Sequence, residues 1–304
     1  METAPILIFT YKRLEPLKLT IAALQKNAQS AQSDVYIFSD GPKGEKDVEQ
    51  VDKVRAYIKT IGDFGSLTIK EAEKNKGLAN SIIDGVTEIL TFSDRVIVLE
   101  DDLLTTSNFL SFMNAALTKY EDSPTVFSIS GYSLDLGTDE SHDSEVYFLN
   151  RGWSWGWATW KDRWSQVDWQ VKDYESFKRD KQKRKDFAKG GSDLNKMLRE
   201  QMEKSLDSWA IRWFYHQYKI KGLTLYPLKS KVYNNGFDNL ATHTNGSDKR
   251  YRPVLDTVES FDFNFPYMVS TQPYYSKKFL IKLGIKARAI SKIQTIFLMI
   301  KKLV

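Results

Sequence analysis

Cysteine is absent from the 304-residue chain, which excludes disulfides and thiolate metal sites and fits a reducing compartment. Phosphate cradles of the familiar kinds are absent too. The chain has no Walker-type loop ending in Gly-Lys-Ser/Thr, no Gly-x-Gly-x-x-Gly after its first strand-like run and no His-Glu-x-x-His. This sets aside P-loop enzymes and typical dinucleotide binders. The longest apolar run of the C-terminal tail, Ile296 to Ile300, is far short of the roughly 20 residues that span a bilayer. Met1 to Thr10 lack the basic segment and apolar stretch of a signal peptide, so a cytoplasmic location is expected. No internal repeat or low-complexity segment is present.

Hydrophobic residues make up 41% of the chain and aromatic ones 13%, enough for one large core, and one domain with appendages is expected. The net charge of +5 is unevenly spread. Residues 274 to 304 hold eight basic residues and no acidic one, which leaves the other 273 at −3. A surface for nucleic acid is therefore not expected.

Strand-like and helix-like periodicities alternate from the start, the pattern of an α/β fold with a mostly parallel central sheet flanked by helices. Strands are predicted at Pro5 to Phe9, Val35 to Phe38, Leu67 to Lys70, Arg95 to Leu99 and Val126 to Ile129. The run Val96-Ile97-Val98-Leu99 suits a central strand buried on both faces. Helical spacing is predicted over Glu15 to Gln29, Val51 to Ile61, Leu78 to Leu90 and Phe109 to Tyr120. Beyond residue 130 the alternation fades, and all eight tryptophans fall between Trp153 and Trp213. The basic run Lys178 to Lys185 reads as a solvated helix face or loop.

Ligands of open parallel sheets bind outside the carboxyl ends of the strands. Three polar clusters stand at such ends: Thr10-Tyr11-Lys12-Arg13, Ser39-Asp40-Gly41 and Glu100-Asp101-Asp102. Three adjacent acids beside a buried strand repel one another unless a cation neutralises them. Hard carboxylate oxygens suit Mg²⁺ or Mn²⁺, and the expected ligand is a diphosphate. A solvated acidic turn is the competing reading.

These residues resemble the GT-A (Rossmann-like) glycosyltransferases, and within them the bacterial branch similar to N-acetylglucosaminyltransferase I, over about residues 4 to 250. The most specific element is the strand followed by Glu100-Asp101-Asp102, which resembles that family's Glu-Asp-Asp form of the DxD motif. The resemblance implies that Asp102 binds the divalent metal, while Glu100 and Asp101 contact the donor's ribose and sugar. It places Thr10, Tyr11 and Arg13 at the base and ribose, and Asp40 as acceptor of a uracil N3–H. Asn75 to Ser81, with Lys76, Gly77 and Ser81, matches the stretch that closes over the nucleotide. Arg151 to Trp160 is similar to the segment lining the donor and acceptor pocket. Trp153, Trp155, Gly156 and Trp157 are its candidates, joined by Trp209, with some of these rings expected to be core instead.

Asp207-Ser208-Trp209 matches the place of the family's catalytic base, and Asp207 is the candidate. The family often shows a second acid here, where this chain has Ser208. The competing role for Asp207 is capping the helix that follows. Asn234 to Asp238 and Ala241 to Thr244 resemble the segment that returns to the diphosphate. There His243 is expected to complete the metal shell, to donate to a phosphate, or to be merely structural.

The resemblance implies a metal-dependent inverting transferase acting on a nucleotide-sugar, expected to be a UDP-sugar, with a saccharide or lipid-linked saccharide as acceptor in surface polysaccharide or glycolipid synthesis. Its catalytic domain would be residues 1–265, with a nucleotide-binding half (1–103) and an acceptor and catalytic half (104–265). Residues 266–304 form a basic amphipathic segment. Residues 274–304 are expected either to lie on an anionic membrane, making the protein peripheral on the inner face, or to pack on the body. Two other functions stay open: a nucleotidyltransferase making sugar nucleotides, and an inactive carbohydrate-binding protein.

Overall fold

The computed structural model describes residues 3–236 and 248–301. Its first half runs β1 (Ile6–Thr10), α1 (Leu14–Gln25), β2 (Asp34–Ser39), α2 (Glu45–Ile58), β3 (Ser66–Glu71), α3 (Leu78–Ile89), β4 (Arg95–Glu100), β5 (Leu103–Thr105), α4 (Phe109–Lys119) and β6 (Val126–Ser130). The second half continues with β7 (Val146–Leu149), β8 (Trp157–Trp160), α5 (Lys161–Trp164), α6 (Tyr174–Arg179), α7 (Lys181–Phe187), α8 (Leu194–Met202) and α9 (Trp209–Lys219). It ends with β9 (Leu223–Pro227), β10 (Val232–Asn234), α10 (Pro273–Lys282) and α11 (Ile285–Lys301).

Among the described residues, eight strands form one sheet in the order β3-β2-β1-β4-β8-β6-β9-β7, and β10 pairs with β5 in a separate ribbon. Strands β3, β2, β1 and β4 are parallel, and β8 enters antiparallel between β4 and β6. Side-chain alternation splits the core in two. Ile6, Ile8, Ile97 and Leu99 join α1 and α4 on one face, through Leu17, Ile21, Phe112 and Leu117. Leu7, Phe9, Val96 and Val98 join α3 and α9 on the other, through Ile82, Val86, Ile211 and Trp213. Both faces are covered, which is why these strands read as continuous apolar runs.

All nine elements predicted before residue 130 are present. The first helix is shorter than its periodicity suggests and ends at Gln25. There Asn27 donates to the Ala23 carbonyl and accepts from the Leu110 amide, so its side chain competes with further helical turns. Strand β8 falls inside the stretch expected to line a pocket. Its Trp-Ala-Thr-Trp sequence is buried throughout.

The tail begins as packed structure. Tyr275, Phe279 and Leu283 are buried, with Tyr275 stacked on Tyr147 at 4.5 Å and Phe279 near Trp153 and Tyr226. The α10 part of the tail is thus tied to the body. Among the described residues, no helix is long and apolar enough to cross a membrane.

Candidate active site

Adjacent parallel strands bring the three polar clusters together. Thr10 is in register with Ser39, and Phe9 with Glu100, so the segments leaving β2, β1 and β4 emerge side by side. Asp101 and Asp102 are buried there. Thr10 Oγ1 donates to Asp101 at 3.1 Å, the Tyr11 amide donates to the same oxygen at 3.4 Å, and Thr20 Oγ1 donates to the Asp101 carbonyl. The Arg13 guanidinium bridges the acids, with Nη2 donating to Asp101 and, at 2.7 Å, to Asp102.

Burial, reinforced by Asp102 and Asp101, pushes the Glu100 carboxyl up to about 8. Burial also pushes Asp101 up to about 6, against the pull of Arg13. The triplet is therefore a site short of positive charge even with Arg13 in place.

The β5–β10 ribbon returns a later segment to this point. The Asn235 amide donates to the Asp102 carbonyl at 2.8 Å, and the Gly236 amide donates to Asn234 Oδ1. A Cβ on Gly236 would collide with the Asp102 carboxylate, so glycine is what lets the backbone lie against it. This is the segment expected at the diphosphate; His243 and residues 241–244 lie outside the described residues.

Among the described residues, no three acidic or histidine side chains gather as a complete ligand set. Mg²⁺ and Mn²⁺ are commonly held by one or two carboxylates, with substrate phosphate and water supplying the rest. A buried Asp102 beside Asp101, at a strand end under a close-packed glycine, fits that mode.

The Asp40 carboxylate organises the neighbouring loop. Oδ1 accepts from the Gly41 and Lys76 amides at 2.8 Å, and Oδ2 accepts from the Gly77 amide and Asn75 Nδ2 at 3.0 Å. Four donors use the lone-pair positions of a carboxylate, so Asp40 serves here as a clamp for residues 75–77. Gly77 has φ +76 and opens α3, a backbone conformation that glycine adopts without strain. Lys76 Nζ pairs with Asp84 at the surface, and Ser81 lies in the first turns of α3 with its amide on the Gly77 carbonyl. Tyr11 and Lys12 are both held by Asp47 of α2, at 2.7 Å each.

Asp207 reaches the same place from the other half of the chain. A Cβ on Gly77 would lie 3.5 Å from Asp207 Oδ2, and the Asp207 side chain is 63% exposed, 3.9 Å from Arg212. Capping falls to its neighbour, since Ser208 Oγ accepts the Ile211 amide. The alternative that Asp207 caps α9 is thereby removed.

The aromatic candidates divide. Trp157 and Trp209 are only 1% and 3% exposed and stack on each other at 4.9 Å, with Trp213 4.5 Å from Trp157. Their place in the expected pocket is corrected: they are core, Trp157 on interior strand β8 and Trp209 on the buried face of α9. Trp153 is also buried and stacks on Tyr132. Trp155 is partly exposed. The β8 register ends with Val98 opposite Trp157, so Gly156 falls next to Leu99, and Trp155 before it packs on Tyr132 and Tyr251, at 4.6 and 5.5 Å between ring centroids. Gly156, with φ +62, indeed lies against Leu99 and Val232.

Sequence reasoning missed the supporting residues Thr20, Asp47 and Ser208. Thr20 alone left a signal, a hydroxyl within the Leu17, Ile21 and Leu24 stripe.

No protein-family model and no curated protein matches the chain. Solved structures do resemble it in part. One is the mannosyltransferase PcManGT from Pyrobaculum calidifontis in complex with GDP-Man and Mn²⁺, at 15% identity and TM-score 0.39, covering 53% of this chain and 46% of that one. Another is S. aureus TarS, at 13% identity and TM-score 0.36, covering 55% and 30%. The chain thus spans less than half the length of either structure.

Proposed function

We propose that this protein is a metal-dependent, inverting glycosyltransferase that moves a sugar from a nucleotide-sugar, a UDP-sugar, to a saccharide hydroxyl. The observation that carries the reading is the meeting of Asp207 with the Asn75–Gly77 loop, which hangs from Asp40 at the strand end next to the one whose Thr10 holds Asp101. A general base and a strand-end diphosphate site then flank one crevice.

Asp102 is the residue proposed to hold Mn²⁺ or Mg²⁺, which when bound neutralises charge on the departing diphosphate. Exposed and bonded to no other carboxylate, Asp207 is suited to take the acceptor hydroxyl proton as that oxygen bonds to C1. The C1–O bond to the diphosphate breaks as this bond forms, the pair of electrons leaves with the diphosphate, and the configuration at C1 inverts. Trp155, the partly exposed ring just before Gly156, is proposed as the platform for a sugar face. Lys76 is free to leave Asp84 for a phosphate, since an exposed ion pair is weak.

The acceptor is proposed to be lipid-linked and presented at an anionic membrane. Ile281, Ile285, Ile290 and Ile293 are exposed on the tail beside Lys277, Lys278 and Lys286, a combination that suits a charged lipid surface.

Asp207→Asn is expected to keep donor and metal affinity while turnover falls about 100-fold or more, the scale of a lost general base. Near-normal turnover would remove Asp207 from the role.

A further inference from the structure

We propose that Arg13 is a resident counter-cation of the acid pair, which a divalent ion must displace from Asp102, so that metal affinity is set by this competition. The inference rests on Asp102 as the metal ligand. A single nitrogen, Nη2, serves both Asp101 and Asp102, so the guanidinium sits on the carboxylate oxygens that a cation would seek. Its side chain is 14% exposed, and solvent screens little at such depth. A guanidinium and a divalent ion on the same two carboxylates repel strongly.

The acids are otherwise committed to the protein. Asp101 Oδ2 accepts from Thr10 and Tyr11, and Gly236 packs on Asp102 Oδ2. The Asp102 carboxylate, by contrast, takes its charge compensation from Arg13, and losing Arg13 would leave it the member of the pair most in need of a cation. The other terminal nitrogen of Arg13, Nη1, is buried with no partner among the described residues. Such an N–H is costly unless an acceptor reaches it. An anionic oxygen of the kind a diphosphate offers would satisfy it and draw the group from Asp102. Arg13 thereby compensates part of the acid pair's charge in the absence of ligand and resists loading by metal alone.

The test is Mn²⁺ titration of the full chain without nucleotide, followed by the paramagnetic resonance of free Mn²⁺. It compares the unmodified protein with Arg13→Gln, Arg13→Lys, Asp102→Asn and the double variant Arg13→Gln/Asp102→Asn. Arg13→Gln is expected to bind Mn²⁺ about tenfold more tightly or better, the scale of a charge-assisted hydrogen bond lost by the competitor. Arg13→Lys should fall between, because one ammonium does not reproduce the planar fork. The gain should vanish in the double variant. A merely structural arginine would lower the affinity when removed, not raise it. Equal or weaker Mn²⁺ binding by Arg13→Gln overturns the proposal. Should the glutamine variant fail to fold by circular dichroism, equal or weaker binding by Arg13→Lys overturns it instead. If Asp102→Asn binds as the unmodified protein does, or the gain survives in the double variant, the metal assignment itself falls.

Discussion

Single residues in this protein often hold neighbours in place for others to act. Asp40 shows this most clearly, with one carboxylate receiving the amides of Gly41, Lys76 and Gly77 and the Asn75 side chain. Replacing it by alanine leaves the three amides unpaired, while Asn75 Nδ2 keeps the Gly41 carbonyl. Asp40→Ala is expected to speed amide exchange at Lys76 and Gly77 by tenfold or more, read by hydrogen exchange, while the sheet stays protected. Unchanged exchange would show that the loop is held by something else.

His216 offers a second residue-scale prediction. Its ring nitrogens are buried without partners among the described residues. Burial, with help from the Lys219 ammonium, holds it below its ordinary value against the opposing carboxylates of Asp168 and Asp173. The folded protein thus binds this proton less readily than the unfolded chain. The associated stability is present above the unfolded value of about 6.5 and is lost as pH falls below it toward the lowered folded value. His216→Gln should therefore show a flatter decline of the urea midpoint between pH 7 and pH 5. An identical slope would contradict this.

At the scale of elements, the strand-end acids were legible because a buried run closing on three carboxylates is chemically costly without a purpose. The roles of Asp101 and Arg13 were not legible, since their pairing depends on how the turn after β1 folds toward β4. Nor could sequence separate Trp155 from Trp157: two positions apart, one is partly exposed and the other lies inside the sheet. That distinction is made by β8 pairing with β4, a contact between residues some 60 positions apart. Trp157→Ala should cost about 3–5 kcal/mol of unfolding free energy, as for large aromatic truncations in cores. Urea denaturation would measure it, and a loss under 1 kcal/mol would mean the ring is not core.

The tail is also an element-scale problem. Its inward face, Tyr275, Phe279 and Leu283, is committed to the body, so deleting the whole of it would remove core as well as any lipid contact. Ile285, Ile290 and Ile293 are exposed and can be changed without that loss. Their joint replacement by serine is expected to abolish co-sedimentation with phosphatidylserine-containing vesicles while leaving thermal unfolding in place. Retained vesicle binding would sink the membrane reading.

At the scale of the whole molecule, the sheet up to β6 followed from short apolar runs alternating with helical stripes of period 3.6, the central strands β1 and β4 reading as continuous apolar segments. The remaining strands β7, β8 and β9 are four or five residues long and drawn from distant segments. Their order is set by packing that local pattern does not encode. The outcome brings Asp207 of the second half close to Gly77, in the loop that Asp40 of the first half holds.

The central claim is the proposed transfer of sugar from a nucleotide through Asp102 and a divalent ion. The most direct measurement is release of free nucleoside diphosphate from a panel of sugar nucleotides with Mn²⁺, with and without chelator, for the unmodified protein and Asp102→Ala. Release from at least one donor, abolished by chelator and by Asp102→Ala, is predicted. Release that persists in both, or none from any donor alongside intact folding, would contradict the account.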